Sequence, residues 1–412
     1  MKFRKLLIGL LIASGTVQAV EPLSPPGLLP IEVARPLLEQ DPGVASARAG
    51  LEVARQQAGI LERSPHEWNI SGQLNQRHLY NADKTYSEWN ANLQKGIRLP
   101  NKAAADRRIG KATVDESFAV YGAALIQSSQ ELIGMWVDWL AAERGHELAK
   151  SNLKSAQANL DAVEKRSRAG DASQLDVSLA RAELADQRRL ENDAKTQADA
   201  TWSLLSTRFP GLERRGATLP EPLPIKEEAS LWRQRVIGES HALQVMQART
   251  RNAQAQADRA RADKIPDPTL GVYSASENGH ERVFGLTFSV PIPTGLRSAN
   301  SAKALAAVEV SRQDEELAKR QLEAAIAGAV ATARGSYESM QIAKEGAASM
   351  QENAKLMQRA YALGEAELQA MLIARRQANA AQSSALQAQV AALKAYYGLL
   401  ADAQLIWGLD SD

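Results

Sequence analysis

The chain has 412 residues, 44% of them apolar but only 5% aromatic, and its formal net charge is +1. Near-neutrality removes any electrostatic case for nucleic acid, and the absence of cysteine excludes a disulfide framework, a thiol nucleophile and a lipidated cysteine. The apolar content leans on alanine, and small side chains suit helices packed closely along their length rather than a bulky globular core.

The first residues read as a secretory signal over 1–19. Lys2, Arg4 and Lys5 precede a short apolar run from Leu6 to Ala13, and Val17-Gln18-Ala19 offers a small-residue cleavage site. That run is shorter than the roughly 20 residues that cross a bilayer, and no later segment reads as a membrane helix. The mature chain is expected to be periplasmic, secreted or inserted by β-strands.

A first structural repeat is expected over 20–209. A Pro-rich stretch, Pro22 to Pro30, leads to helix from about Ile31, broken near Asp41-Pro42-Gly43 and continuing to about Arg63. Pro65 ends it. Strands are predicted over about 67–80 and 86–99. Trp68, Ile70 and Leu74 alternate with Asn69, Ser71, Gln73 and Asn75, and Trp89, Ala91 and Leu93 alternate with Asn90, Asn92 and Gln94. One apolar and one amide-rich face is the period-2 pattern of a half-buried strand, and the amide face suits a water-filled lumen. A long helical hairpin is predicted over 101–209, carrying an apolar stripe at Leu132, Met135, Trp136, Trp139 and Leu140. Gly170 breaks it, and Ser173 can cap its second arm.

Residues 210–227 form a Pro- and Gly-rich joint, and 228–412 are expected to repeat the plan. Helix runs from about Leu231 to Asp263, strands from about 268–276 and 282–292, and a second hairpin from 298–407. Gly364 turns that hairpin. The runs Gly170-Asp171-Ala172-Ser173-Gln174-Leu175-Asp176 and Gly364-Glu365-Ala366-Glu367-Leu368 occupy matching places, with Arg181 and Arg375 at the same offset. So long a repeat marks a duplicated unit rather than a solenoid. Four strands cannot seal their own edges in lipid. Three chains would supply twelve strands, an even number in the range of bacterial outer-membrane barrels.

The chemistry of an enzyme is not visible. The five histidines, His66, His78, His146, His241 and His280, form no close metal-ligand motif, and no nucleophile–base arrangement or nucleotide fingerprint is present. His78 and His280 fall in strand-connecting loops and read as solvated. No cofactor or metal is expected.

The pattern resembles the TolC family of outer-membrane efflux proteins, over essentially the whole mature chain. The resemblance is carried by Ala34, the run Leu38-Glu39-Gln40-Asp41-Pro42-Gly43-Val44, Ile265-Pro266-Asp267-Pro268-Thr269-Leu270, and the paired Gly…Ala-Arg turns. Within the family, Ile97-Arg98-Leu99-Pro100-Asn101-Lys102 and Phe284-Gly285-Leu286-Thr287-Phe288-Ser289-Val290-Pro291-Ile292-Pro293 look most like the heavy-metal, CzcC-like branch.

The resemblance implies a mainly α fold with a small β part. It implies a homotrimer with a 12-stranded outer-membrane β-barrel, continued by a periplasmic α-helical barrel in a Gram-negative bacterium. It further implies docking to a periplasmic adaptor (membrane fusion) protein and an inner-membrane pump of the RND type. The duct would conduct cargo passively, heavy-metal cations first among the candidates. Drug efflux and type I protein secretion use the same fold, and a periplasmic adaptor or a coiled-coil stalk are the readings from other classes.

The resemblance places the adaptor-docking tip at Ala169, Gly170, Asp171, Ala172, Leu175, Leu363, Gly364, Glu365, Ala366 and Leu368. A tunnel gate would involve Asp176, Glu367, Arg181 and Arg375. Some members carry aspartates after the second turn, where this chain has Ala370 and Ile373. Asp176 keeps an acid at the first-copy position, where it could equally cap a helix N-terminus.

Overall fold

The computed structural model describes residues 25, 27–214, 218–278 and 281–409, so the expected signal over 1–19 and His280 lie outside them. Two short helices open the described chain, α1 (Ile31–Glu39) and α2 (Pro42–Glu62). Asp41 separates them because its carboxylate caps α2, accepting from the Gly43 and Val44 amides, while Pro42 supplies the fixed φ of a first helical turn. Strands β1 (Trp68–Leu79) and β2 (Lys84–Gly96) form a hairpin. Helices α3 (Pro100–Arg168) and α4 (Gln174–Arg208) follow.

The second half has α5 (Ala229–Glu239), α6 (His241–Ala262), β3 (Thr269–Glu277), β4 (Glu281–Ser289), α7 (Gly295–Leu363) and α8 (Leu368–Asp402). The long arms α3 and α7 are each 69 residues, and the short arms α4 and α8 are each 35. A 69-residue helix is about 100 Å long. None of the described helices is apolar enough to cross a membrane.

Several boundaries differ from the sequence expectation, four of them for a clear backbone reason. The second strand ends at Gly96 rather than 99, because the Ile97 amide donates to the Pro268 carbonyl (2.8 Å) and the Leu99 amide to the Asp267 carboxylate (3.1 Å). The fourth strand ends at Ser289, short of 292, where Pro291 and Pro293 offer no ladder donors. The single helix expected from Leu231 to Asp263 is two, parted at Ser240, whose hydroxyl caps α6 through the Leu243 amide. The last helix stops at Asp402, not near Trp407. Beyond it Gln404 and Trp407 adopt positive φ and turn the chain back onto the core.

The sheet is antiparallel throughout, in the order β1-β2-β3-β4. Its register sorts side chains cleanly. Ile70 pairs with Leu93, Leu93 with Val272, and Val272 with Leu286, a continuous apolar row. The opposite face carries Asn69, Ser71, Gln73, Asn90, Asn92 and Thr287. On that face the Tyr273 ring lies across Gly285, where a Cβ would meet it at 2.2 Å. The ring fills the space that the glycine leaves open.

Below the sheet the chain is four helices wide. Near the strands the order is α2–α3–α6–α7, and farther away it is α4–α3–α8–α7. Buried positions recur every seven residues: Val177, Leu184, Ala198 and Leu205 on α4, Ile326, Ala333, Met340, Ala347 and Ala354 on α7, and Met371, Ala378, Ala385, Ala392 and Leu399 on α8. A strict seven-residue repeat keeps the seam in contact only if the helices supercoil left-handedly. The alanines at these positions let neighbouring backbones approach closely.

The largest core lies midway along the long helices. Trp136, Trp139, Phe209, Tyr397 and Trp407 are packed there with leucines from α1 and the C-terminal segment and with Trp232 and Val236 of α5. The indole N–H of Trp407 donates to the Leu29 carbonyl and that of Trp136 to the Gly27 carbonyl, both at 2.8 Å. The two ends of the chain are thereby fastened to the same level of the hairpins. Trp407→Ala should cost about 3–5 kcal/mol, through cavity formation and loss of that bond. A clear fall in the guanidinium midpoint followed by far-UV circular dichroism is expected. An unchanged midpoint would show that the C-terminal segment is dispensable for the core.

Candidate functional site

Three regions carry chemistry: the hairpin turns, the polar face of the sheet, and the junction where strands become helices. At the turns, Gly170 and Gly364 both take positive φ, 86° and 78°. This left-handed conformation is strained for any residue with a Cβ. Each ends its helix in a Schellman arrangement, with Asp171 N–H donating to the Arg166 carbonyl (2.9 Å) and Glu365 N–H to the Ala360 carbonyl (2.8 Å).

The two turns sit side by side. Leu368, Met371 and Leu372 of α8 pack with Leu160 and Val163 of α3 and with Val177 and Leu184 of α4. Of the residues expected at the tip, Ala169, Gly170, Asp171, Leu175, Leu363, Gly364 and Glu365 are exposed, and Ala172 and Ala366 are half-buried. Leu368 is 2% exposed and belongs to the core that holds the turns together. Leu175 and Leu363, by contrast, are 68% and 74% exposed.

The expected gate residues divide. Asp176 completes a capping box with Ser173: the Asp176 amide donates to the Ser173 hydroxyl (3.1 Å), and the Ser173 amide to the Asp176 carboxylate (3.0 Å). Arg181 donates to Glu164 on α3 (2.8 Å). Glu367 is exposed at the N-cap of α8 and makes no side-chain cap bond. Arg375 lines a groove of about 860 Å³ between α3, α7 and α8, together with Asp171, Arg166 and Tyr361. Arg166 stacks over the Tyr361 ring at 4.9 Å. Burial draws the Arg375 guanidinium below its ordinary value, and the Glu183 charge opposes that. Glu183 itself is buried and bonded to Arg376 of α8 (2.7 Å) and Gln187 (2.9 Å), which ties the two hairpins together.

On the polar face of the sheet, Arg77 pairs with the buried Glu88 (2.9 Å), which also accepts from the Asn278 amide (3.1 Å). Glu277 and Glu281 stand opposite each other at the same end. His78, expected in the connecting loop, lies instead within β1 on the opposite face and bonds Thr85 of β2 (3.0 Å). Among the described residues, no group of three or more histidines, aspartates or glutamates is placed to hold a metal ion.

The junction is not legible as a site in the sequence, although Arg98, Lys102 and Asp267 stand in the family-like runs. Lys102 is 2% exposed, and its ammonium reaches Asp267 (3.0 Å) and Asp263 (3.3 Å). Asp267 also meets His66 (3.0 Å) and receives the Leu99 amide. Asp106 accepts from Arg98 (3.0 Å) and Arg259 (2.5 Å), and Arg259 also pairs with Asp263. Arg98 further donates to the carbonyls of Leu61 and Glu62 at the end of α2. Three carboxylates and three cations thus join α2, β2, α3, α6 and β3 at one level. The signal was in the sequence, as charged residues beside Pro100, Pro266 and Pro268, but proximity across about 165 residues of chain was not.

The profile of the outer membrane efflux protein family matches residues 33–207 and 232–401. The chain belongs to this family. As an outer membrane efflux protein it has a TolC-like fold and sits in the outer membrane, extending into the periplasm. The fold is similar to that of CusC (TM-score 0.74, 18% identity, 90% of this chain and 92% of that one). It is similar to VceC from Vibrio cholerae (0.73, 16%, 90% and 95%) and to the open state of MtrE from Neisseria gonorrhoeae (0.67, 18%, 91% and 88%). At these identities the likeness is one of fold. In sequence, the efflux protein is 29% identical over 256 residues to protein CyaE of Bordetella pertussis, a match covering 57% of this chain and 54% of that one. The match thus spans about half the length of that relative.

The junction sets a pH dependence. Burial would push the Asp267 carboxyl up, but the bonds from His66, Lys102 and the Leu99 amide prevail and hold it below the ordinary carboxylate range. Asp263 is likewise lowered, with Arg259 and Lys102 outweighing its burial. A carboxylate depressed on folding stabilises above its unfolded pKa, near 3.9, and that stability is lost as pH falls through the lower folded value. The efflux protein should therefore lose stability as pH drops below about 4, and Asp267→Asn should flatten that loss while lowering stability at neutral pH. Lys102→Met, which leaves Asp263 to Arg259 and Asp267 to His66 and the Leu99 amide, should cost about 3–5 kcal/mol. Thermal unfolding across pH checks both. A D267N curve parallel to wild type would remove Asp267 from the account.

Proposed function

We propose that this protein is the exit duct of a tripartite efflux system, a homotrimer that passes cargo passively from periplasm to exterior. The observation that carries the reading is the coincidence of open edges at every level. The sheet ends in unpaired β1 and β4, and backbone groups left unpaired in lipid are prohibitively costly. The helical layer ends in α7 on one side and in α2 or α4 on the other. These edge helices carry exposed apolar side chains: Val53 and Ile60 on α2, Leu190 and Leu204 on α4, Val310 and Leu317 on α7. Three copies placed around one axis pair every edge and bury these residues, giving twelve strands above twelve helices.

In that assembly the apolar face of the sheet meets lipid and the amide face lines the lumen. The charged residues of the polar face within the strands are Arg77, Lys84, Glu88, Glu277 and Glu281, three acids against two cations, a small acidic excess that favours cations. This supports heavy-metal cations as the cargo, in keeping with the CzcC-like runs. The exposed Leu175 and Leu363, beside small Ala169 and the two glycine turns, suit a periplasmic adaptor that links the duct to an RND-type pump. Glu367 and Arg375, which lack a bonded partner within the tip core, are the residues proposed to hold the gate; Asp176 and Arg181 support the turn.

Leu286 is 85% exposed on the apolar face. Leu286→Arg should cost about 2–4 kcal/mol of insertion near the membrane midplane, whereas Thr287→Arg on the polar face should insert normally. Equal membrane recovery of the two would refute the assignment of faces.

A deletion strain should become sensitive to copper, zinc, cobalt or cadmium. Complementation should fail with Leu175→Glu and Leu363→Glu, although both variants still assemble as trimers on crosslinking. Sensitivity to drugs alone would move the cargo away from metals, and a stable monomeric species in detergent would overturn the duct itself.

A further inference from the structure

The membrane-proximal end of the helices is strongly basic on its surface, although the whole chain carries a net charge of only +1. Arg63 at the end of α2, Arg107 and Lys111 in the first turns of α3, and Arg261 and Lys264 at the end of α6 are all exposed. Lys95, at the end of β2, is half-buried on the apolar face of the sheet, with its ammonium 5.1 Å from the Trp68 ring centroid. None of these six cations has a carboxylate within ion-pair distance among the described residues. The reason is the junction network: Asp106, Asp263 and Asp267 are taken by Arg98, Arg259 and Lys102, and Asp258 by Arg108. Glu62 and Glu67 are exposed acids at this level, and Glu52, lower on α2, is paired with Arg55. The internal cations thus neutralise the acids, and the surface cations are left over.

Position gives this excess a partner. Lys111 is eleven residues below Pro100, about 16 Å along the helix, so the charges lie in a narrow band under the apolar face. That is the level of lipid headgroups, and the pairing of Lys95 with Trp68 is the aromatic-and-cation rim of a membrane interface. We propose that this collar binds the phosphate groups of anionic phospholipids in the periplasmic leaflet of the outer membrane, with Lys95 and Trp68 marking its upper edge. Basic residues just outside a bilayer attract anionic lipid within about a Debye length, roughly 10 Å at 0.1 M salt. The proposal rests on the membrane-spanning reading above.

The test uses the full-length protein reconstituted in nanodiscs of equal parts phosphatidylethanolamine and phosphatidylglycerol. Lipid retained after detergent extraction is identified by mass spectrometry, and conductance is recorded from the same preparation. Wild type should retain phosphatidylglycerol about threefold over its bulk share, and less as salt is raised. The variant Arg107→Gln/Lys111→Gln/Arg261→Gln/Lys264→Gln should lose the enrichment while keeping trimer size and conductance. Arg107→Lys/Arg261→Lys should keep it. Wild type with normal conductance but lipid in bulk proportion, or enrichment that survives the fourfold change, would overturn the collar alone. Wild type that forms no channel would overturn both readings. Co-sedimentation with purified peptidoglycan sacculi, without lipid enrichment, would assign the collar to the cell wall and reject the lipid.

Discussion

A chain that leaves a sheet to begin a helix strands its backbone donors, because ladder partners end before helical ones start. Here that happens at Ile97–Leu99, directly below the strands, and Asp267 from the other half of the chain resolves it. Its carboxylate takes the Leu99 amide, the Lys102 ammonium and the His66 ring together. The neighbouring Pro268 carbonyl takes the Ile97 amide. The rest of the architecture depends on this exchange, since it fixes the height and rotation at which about 100 Å of helix departs from the sheet. An error of a few degrees at the junction would be carried to the tips as a large displacement.

The same arrangement explains why so little of the molecule is held by bulky side chains. Once the junction sets the helix directions, a seven-residue repeat of small residues is enough to keep α7 and α8 in register over their length. The large aromatics are gathered at one level, around Trp136, Trp139 and Trp407, where the hairpins are braced by both chain ends. Between that belt and the tip, cohesion comes from leucines, alanines and the Glu183–Arg376 pair. The bulky side chains are thus concentrated at the belt, and the tip is closed by the smaller cluster around Leu160, Val177 and Leu368.

One sheet carries an apolar face and an amide-rich face, and its outer strands β1 and β4 have no partner within the chain. The charges divide at the level of the junction: Asp106, Asp263 and Asp267 are paired internally, and Arg63, Arg107, Lys111, Arg261 and Lys264 stay exposed around them.

Sequence alone determined the elements whose cause is local. The period-2 alternation around Trp68 and Trp89, the proline stops, the long helices free of proline, and the glycines at 170 and 364 are each dictated within a few residues of chain. So were the family resemblance and the capping role open to Asp176. Other features only the tertiary structure decided, because they depend on residues distant in sequence becoming neighbours. The second strand was read three residues too long because nothing near Ile97 shows that Pro268 and Asp267 will claim its donors. Leu368, expected as docking surface, is buried by the packing of α8 against α3 and α4, while Leu363, the last residue of α7, stays in water. Local pattern specifies which face of an element is apolar; only assembly in three dimensions specifies what that face will meet.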